Sequence, residues 1–388
     1  MSDSISKSQE FWDSHAKTDP LWAILSDPSK VGRGWNLQEF MATGRREVSL
    51  LMYQIRALSL SVDRAAALDF GCGVGRLTQP LAQYFESVIG VDVSPEMIRL
   101  AEQINSNPDR VRYVCNVRPD LSVFAANQFT FMYSNVVLQH IEPAATLNYL
   151  RELIRVVATD GLLVFQLPSH ERPPEERTQL PRPMPIEAYR ASIDVQSDSL
   201  DAVVPGEEIV LVATVTNVSG QRWSQPDVGT IRLGNHWLLG ERDEMLIQDD
   251  GRTPLPDELA PGETCRLSLR VVAPTEPGEY QLQCDLVHEG ISWFGDKGSS
   301  VWTSSLRVAG HSANPPMDLQ SRSMSTVEEL SLSDYLSAPP TRDLPMFGVH
   351  CDTVAALVSE QGAHVVHREI DERCGQEWLG YRYFVRKN

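Results

Sequence analysis

Two carboxylates frame the part of the chain best equipped for chemistry. Asp69 ends an apolar run, Ala65 to Leu68, and is followed by the turn Gly71-Cys72-Gly73-Val74-Gly75. Asp92 ends a second apolar run, Val88 to Val91. Between them Leu77, Leu81 and Phe85 recur at helical spacing and predict an amphipathic helix. The sum is a strand-turn-helix-strand unit whose loop brings bare backbone against a ligand. The second acid stands where a ribose diol would be gripped.

The residue types narrow the ligand. A dinucleotide usually requires Gly-x-Gly-x-x-Gly, and Arg76 occupies the third glycine position here, which opposes an NADH-type oxidoreductase. A carboxylate at Asp69 would repel a pyrophosphate but suits a ligand carrying an ammonium and a sulfonium, such as S-adenosylmethionine (SAM). The competing reading is a structural turn in which Asp69 caps the helix.

Residues 65–168 resemble a class I SAM-dependent methyltransferase. The resemblance runs through Glu96-Met97-Ile98, a third strand Val111 to Val114, a fourth strand and loop from Phe129 through Leu138-Gln139-His140-Ile141, a helix around Leu150 to Val156, the turn Asp160-Gly161 and a fifth strand Leu162 to Leu167. It implies that Asp69 holds the methionyl ammonium of SAM, directly or through water. Gly71 and Gly73, with the small Cys72 between them, would admit the methionyl and ribose portion. Asp92 would accept from both ribose hydroxyls, and Val93 and Met97 would pack on adenine. Similar enzymes carry an acid near position 116 for the adenine amino group. Here Asn116, beside Val117, offers a carbonyl oxygen instead. Thr130 stands where such enzymes often carry Asp. Asn135 and Gln139 are candidates to orient the cofactor or the acceptor, or to satisfy loop backbone. Arg45, with Arg46 beside it, is a candidate partner for the cofactor carboxylate, with a surface charge as the alternative.

Methyl transfer from a sulfonium requires alignment and the exclusion of water more than a protein nucleophile. An alcohol acceptor adds the need for a base, and His140 is the candidate, at the carboxyl edge of the sheet. Its competing roles are capping the next helix and packing under a lid. Trp35 and Trp378 are candidate walls of the acceptor pocket, together with Gln139 and His140. Trp378 is equally at home in the edge of the core.

Bulk properties and punctuation set the architecture. The chain has 388 residues and a formal net charge of −18, a poor match to nucleic-acid phosphates. No apolar run reaches spanning length, the polar start does not read as a signal peptide, and six scattered cysteines lack metal-ligand spacing, so the expected compartment is the reducing cytoplasm, with no metal. Composition shifts after Leu167. Residues 168–186 read as a linker, and from about Tyr189 to Val308 the pattern is all-β, with strands at Ile209 to Val215, Arg266 to Val272 and Tyr280 to Val287 and turns at Pro205-Gly206, Pro261-Gly262 and Pro277-Gly278. Cys265 and Cys284 are expected on neighbouring strands. Trp223, Trp237, Trp293 and Trp302 resemble those of four-tryptophan immunoglobulin-like modules, and this region carries 17 acids against 7 bases between residues 201 and 297.

The chain turns α/β again near its end, with Asp352 as a cap for a helix Thr353 to Gln361 and strands at Ala363 to Ile370 and Tyr381 to Val385. About 45 residues cannot readily bury a core alone. The expected fold is therefore α/β, a Rossmann-like seven-stranded methyltransferase sheet interrupted by an immunoglobulin-like β-sandwich. In chain order it comprises a helical cap or lid (1–63), a leading methyltransferase segment (64–185), the sandwich (186–309), a linker (310–344) and a closing methyltransferase segment (345–388). The expected activity is SAM-dependent methylation of a small-molecule or saccharide acceptor, at a hydroxyl. The sandwich would meet a glycan, a carrier or a protein partner. The alternative is a turnover-dead SAM-binding scaffold acting through its sandwich.

Overall fold

The computed structural model describes residues 2–27, 30–177, 183–196, 203–225, 230–240, 244–309 and 344–388, without the side chains of residues 2–5 and 372. The expected linker 310–344 thus lies, but for its last residue, outside the described residues. Two compact units emerge. The first comprises Met1–Val48, Leu58–Gln179 and Leu330–Asn388, and the second Ser49–Ala57 and Leu180–Glu329. Among the described residues no helix is long and apolar enough to cross a membrane.

The first unit is a mixed seven-stranded sheet. Its strands are β1 (Ala66–Phe70), β2 (Ser87–Asp92), β3 (Val111–Cys115), β4 (Phe129–Ser134), β5 (Val157–Glu171), β6 (Ala363–Ile370) and β7 (Trp378–Lys387), in the order β6-β7-β5-β4-β1-β2-β3. The first five pair in parallel. The chain returns after the all-β segment to lay β7 antiparallel on β5, from Trp378 opposite Glu171 to Arg386 opposite Leu162, with β6 outside it. Phe131 and Met132 on β4 and Leu162, Leu163, Val164 and Phe165 on β5 are fully buried. Such unbroken apolar runs suit central strands covered on both faces.

The unit's helices are α1 (Ser2–Thr18), α2 (Pro20–Ile24), the first part of α3 (Leu37–Ala57, of which Ser49–Ala57 belongs to the second unit), α4 (Thr78–Leu81), α5 (Pro95–Gln103), α6 (Pro143–Val156) and α7 (Cys351–Glu360). Ser94 caps α5, its hydroxyl accepting from the Met97 amide at 3.1 Å, with Pro95 in the first helical position. The expected helix over Leu77 to Phe85 is a single turn, because after Leu81 the amides of Ala82, Gln83 and Tyr84 bond three residues back in tight turns. The last helix is capped by His350, not Asp352: the His350 ring accepts from the Asp352 amide at 3.3 Å, and the helix begins two residues earlier than expected.

In the second unit a three-stranded sheet (Thr264–Val272, Glu208–Asn217, Ala191–Gln196) and a six-stranded sheet built on Ile231–Leu239 and Gly278–His288 contribute to one apolar core. Trp223, Trp237 and Trp293 are buried, and Trp302 packs partly buried on the same core. These rings fill the interior. Cys265 and Cys284 lie in different sheets, not on neighbouring strands, and both are free thiols.

Candidate active site

The glycine turn closes β1 against β2. Gly71, Gly73 and Gly75 all have positive φ (77°, 52° and 86°), which L side chains rarely adopt. The room left by their missing side chains is used by the protein itself. A Cβ on Gly71 would meet Val137 at 2.4 Å, one on Gly73 would meet Ile24 at 2.5 Å, and one on Gly75 the Tyr113 hydroxyl at 2.1 Å. Asp92 is fixed by the loop, one oxygen accepting from the Gly73 amide and the other from the Ser94 amide, both at 2.9 Å. Burial pushes its pKa up, against these amide bonds. Asp69 is buried and accepts from the Thr78 hydroxyl at 2.6 Å. Burial drives its carboxyl up to about 7, opposed by Thr78 and the Arg76 guanidinium. Asp69 is thus half protonated near neutrality unless a cation sits beside it.

The remaining cofactor candidates divide. Asn116 is buried and donates its side-chain N–H to the Asp120 carbonyl at 2.7 Å, which leaves its own oxygen as an acceptor. Val117 beside it is exposed, and Val93 is half-buried. Met97 packs with Ala16, Leu21 and Phe40 under the N-terminal helices. Cys72 points inward, where a Cβ on Gly90 would meet its sulfur at 2.9 Å, and burial pushes its thiol well above the ordinary range. It is a filler of the strand crossing, not a reactive group. Arg45 is exposed on α3. The buried stripe of that helix runs through Phe40, Gly44, Val48, Leu51 and Ile55, and Arg45 falls off it.

His140 ends a short 3₁₀ turn, Leu138–His140, after β4. Its Nδ1 lies 2.7 Å from the Pro345 carbonyl, which can only accept, so Nδ1 carries the proton. Nε2 is then the acceptor, and the Gln139 side-chain amide lies 3.1 Å from it. Burial pushes the imidazole pKa below its usual value, which keeps the ring neutral. Trp12 of α1 meets the ring edge-on at 5.6 Å between centroids. The return segment before α7 is tied to the same turn, since Phe347 N–H donates to the Gln139 carbonyl at 2.8 Å. Trp378 is half-buried against this segment, where a Cβ on Gly348 would meet its ring at 2.9 Å. Trp35, by contrast, is engaged within the N-terminal cap. Its indole N–H donates to Leu25, and its ring packs on Phe40.

A polar row on one face of the sheet was not foreseen from sequence. Asp69 on β1 pairs with Tyr133 on β4, Asn135 follows two residues on, and Gln166 on β5 pairs with Arg382 on β7. Paired residues share a face. Glu47 of α3 is the hub. Its Oε1 accepts from Asn135 (2.7 Å), Tyr133 (3.0 Å) and Arg373 (3.0 Å), and its Oε2 from Arg76 (2.9 Å). Burial would raise the Glu47 pKa, but Arg373 and Arg76 outweigh it and hold the group at about 2. Arg382 pairs with Asp371 at 2.7 Å. Next to the row Val136 has φ 58°, a strained conformation for a β-branched residue. The missed signal was an acid, Glu47, falling within the helical stripe of α3 that also holds Gly44 and Val48. Asp13, which accepts from Ser94 and from the Glu96 amide, was likewise missed.

Residues 68–165 match the model of a family described as "Methyltransferase domain". A trans-aconitate 2-methyltransferase from an Azoarcus species is 33% identical over 132 residues, covering 33% of this chain and 49% of that protein. A ubiquinone biosynthesis O-methyltransferase of Cereibacter sphaeroides is 26% identical over 147 residues, covering 38% of this chain and 55% of the relative. The chain thus spans about half the length of these curated relatives. Among solved structures, Haemonchus contortus phosphoethanolamine N-methyltransferase 1, in complex with phosphoethanolamine and S-adenosylhomocysteine, is 17% identical, with a TM-score of 0.34 over 44% of this chain and 33% of its own. Residues 68–165 thus carry the sequence pattern of a methyltransferase domain.

Proposed function

We propose that the chain is an active SAM-dependent methyltransferase that methylates a hydroxyl of a small-molecule or saccharide acceptor. The observation that carries the reading is Asp92. Its two oxygens are oriented by loop amides at the tip of β2, beside a turn of three positive-φ glycines. That is a fixed double acceptor suited to a diol. Asn116 offers its oxygen to an exocyclic amine, and Asn135 keeps a buried oxygen without a partner among the described residues. When bound, SAM supplies a methyl group on a positively charged sulfur. Asp69 complements an ammonium, and α1, through Trp12, covers the His140 turn and excludes water. His140 is held neutral with Nδ1 protonated, so Nε2 receives the acceptor proton once the Gln139 amide gives way.

In this reading residues 1–63 are the cap, 64–185 and 345–388 the two segments of the methyltransferase domain, and 186–309 an immunoglobulin-like insertion joined by the 310–344 linker. The pairing of β7 along β5, with one register shift between Leu379 and Gly380, supports the split. The acidic insertion suits a carrier or protein partner better than a glycan, because its tryptophans are spent on its core. Isothermal titration with SAM tests the reading. The intact chain should bind it, and Asp92→Ala should lose about 3–6 kcal/mol of binding, the worth of two hydrogen bonds to a charged group at about 1.5–3 kcal/mol each. An unchanged dissociation constant in the variant would refute it.

A further inference from the structure

The polar row contains more hydrogen-bonding capacity than the protein uses. Gln166 is fully buried, yet neither its amide nitrogen nor its oxygen has a partner among the described residues. Two more buried amide oxygens, on Asn135 and Gln139, are unpartnered as well. Natural proteins rarely leave such groups unsatisfied, since each costs about 1–3 kcal/mol, and the exceptions call for a bound molecule or a functional explanation.

The geometry puts Gln166 and Asn135 together. Ser134 and Phe165 are the last paired residues of β4 and β5, so Asn135 and Gln166 stand side by side one position beyond. Over Gln166 lies the β6–β7 connection: Gly380, whose added Cβ would be 3.6 Å from the Gln166 nitrogen, also sits under the Asp371 carbonyl and the Cys374 sulfur. Arg373 of that connection reaches across to Glu47 at 3.0 Å and to Tyr133 at 3.4 Å. The charges of the row are matched, three guanidiniums with three carboxylates: Glu47 with Arg76 and Arg373, and Asp371 and Glu369 with Arg382. Besides the buried Arg76 Nε–H, what remains unsatisfied in the row is neutral: the amide oxygens of Asn135 and Gln166, which require donors, and the Gln166 amide nitrogen, which requires an acceptor.

We infer that Gln166, with Asn135, is the acceptor-recognition point of the site, and that it selects an uncharged, donor-rich acceptor such as a polyol. The inference rests on the methyltransferase reading above. A carboxylate acceptor would face two unpaired oxygens, and an aromatic acceptor would leave the same groups unsatisfied. Hydroxyl groups, which donate and accept at once, match the set. The connection carrying Arg373 closes over the acceptor, latched by Glu47.

The test uses the full chain, tritiated SAM and a defined panel: glucose, myo-inositol and glycerol as polyols, catechol as an aromatic and benzoate as a carboxylate. Label should appear on a polyol. Gln166→Met, close in shape but without the amide, should lower polyol kcat/KM about tenfold or more, as expected for the loss of hydrogen bonds to substrate, while the dissociation constant for SAM stays unchanged. If Q166M fails to hold SAM, Gln166→Asn, which keeps the amide and shortens its reach, should show the same loss. Label on catechol or benzoate alone, or on no panel member, overturns the inference. So does full polyol turnover in Q166M with an altered melting temperature only, which would mean that the space holds water. Failure of the intact chain to bind SAM strikes the methyltransferase reading instead.

Discussion

A buried carboxyl with a pKa near 7 at the tip of β1 makes cofactor binding a titration. In the folded chain burial raises Asp69 from an ordinary 3.8 to about 7. The folded state therefore holds a proton that the unfolded chain has released, and the group's contribution to stability is full below 3.8 and lost as pH rises through about 7. A cationic ligand reverses the preference, because it binds the ionised form. SAM binding below pH 7 must then release up to one proton. The expected result is an affinity that rises with pH between about 5.5 and 7 and levels off above, with a proton release detectable by titration in buffers of different ionisation heat. Asp69→Asn should abolish the slope, and a flat profile in the intact chain would show that no cation meets this carboxylate. Asp69 and Asp92 were legible in the sequence because a local glycine pattern announces them. Glu47, Tyr133, Gln166 and Arg373 were not, since their partnership is made across the fold from segments remote in sequence.

Helical phase decides which residues of α3 reach the site. Arg45 and Glu47 are two positions apart, roughly 200° around the helix, so one faces outward and the other lies in the interior. The sequence announced a helical cap ahead of the sheet but not which charge it would deliver, because Glu47 interrupts an otherwise apolar stripe. Gly44 on that stripe sets how closely α3 approaches the loop. A Cβ there would meet the Arg76 carbonyl at 2.0 Å, and backbone cannot swing aside as a side chain can. Gly44→Ala should thus cost about 1–3 kcal/mol through overpacking, more than the gain in helix propensity of roughly 1 kcal/mol. It should also weaken SAM binding, since Arg76 and the glycine turn shift together. Urea unfolding and SAM titration of the variant check this. A variant as stable as or more stable than the parent, with intact binding, would mean that α3 does not seat on Arg76.

Across the whole chain, the order of strands in space departs from their order in sequence. Five strands precede the all-β segment, and the two that complete the sheet follow it. That much was legible, because the first five strands leave β5 with an open edge and the last segment is too short to stand alone. The sheet membership of the all-β strands was not, as the separate placement of Cys265 and Cys284 shows, since alternation marks a strand without naming its neighbour. The closing hairpin has a measurable consequence. Tyr383, Phe384 and Val385 of β7 are buried against β5 and its surroundings. A chain ended at residue 344 would expose β5 along its whole edge, leaving unpaired backbone and bare apolar surface. It should fail to bind SAM and should aggregate. Lengthening the segment between 310 and 343 to about twice its length with Gly and Ser adds only about 0.6 kcal/mol of closure entropy, so SAM affinity should survive. Normal SAM binding by the truncated chain would detach the hairpin from the working domain, whereas loss of binding in the lengthened chain would show that the segment itself, not the pairing it permits, holds the site together.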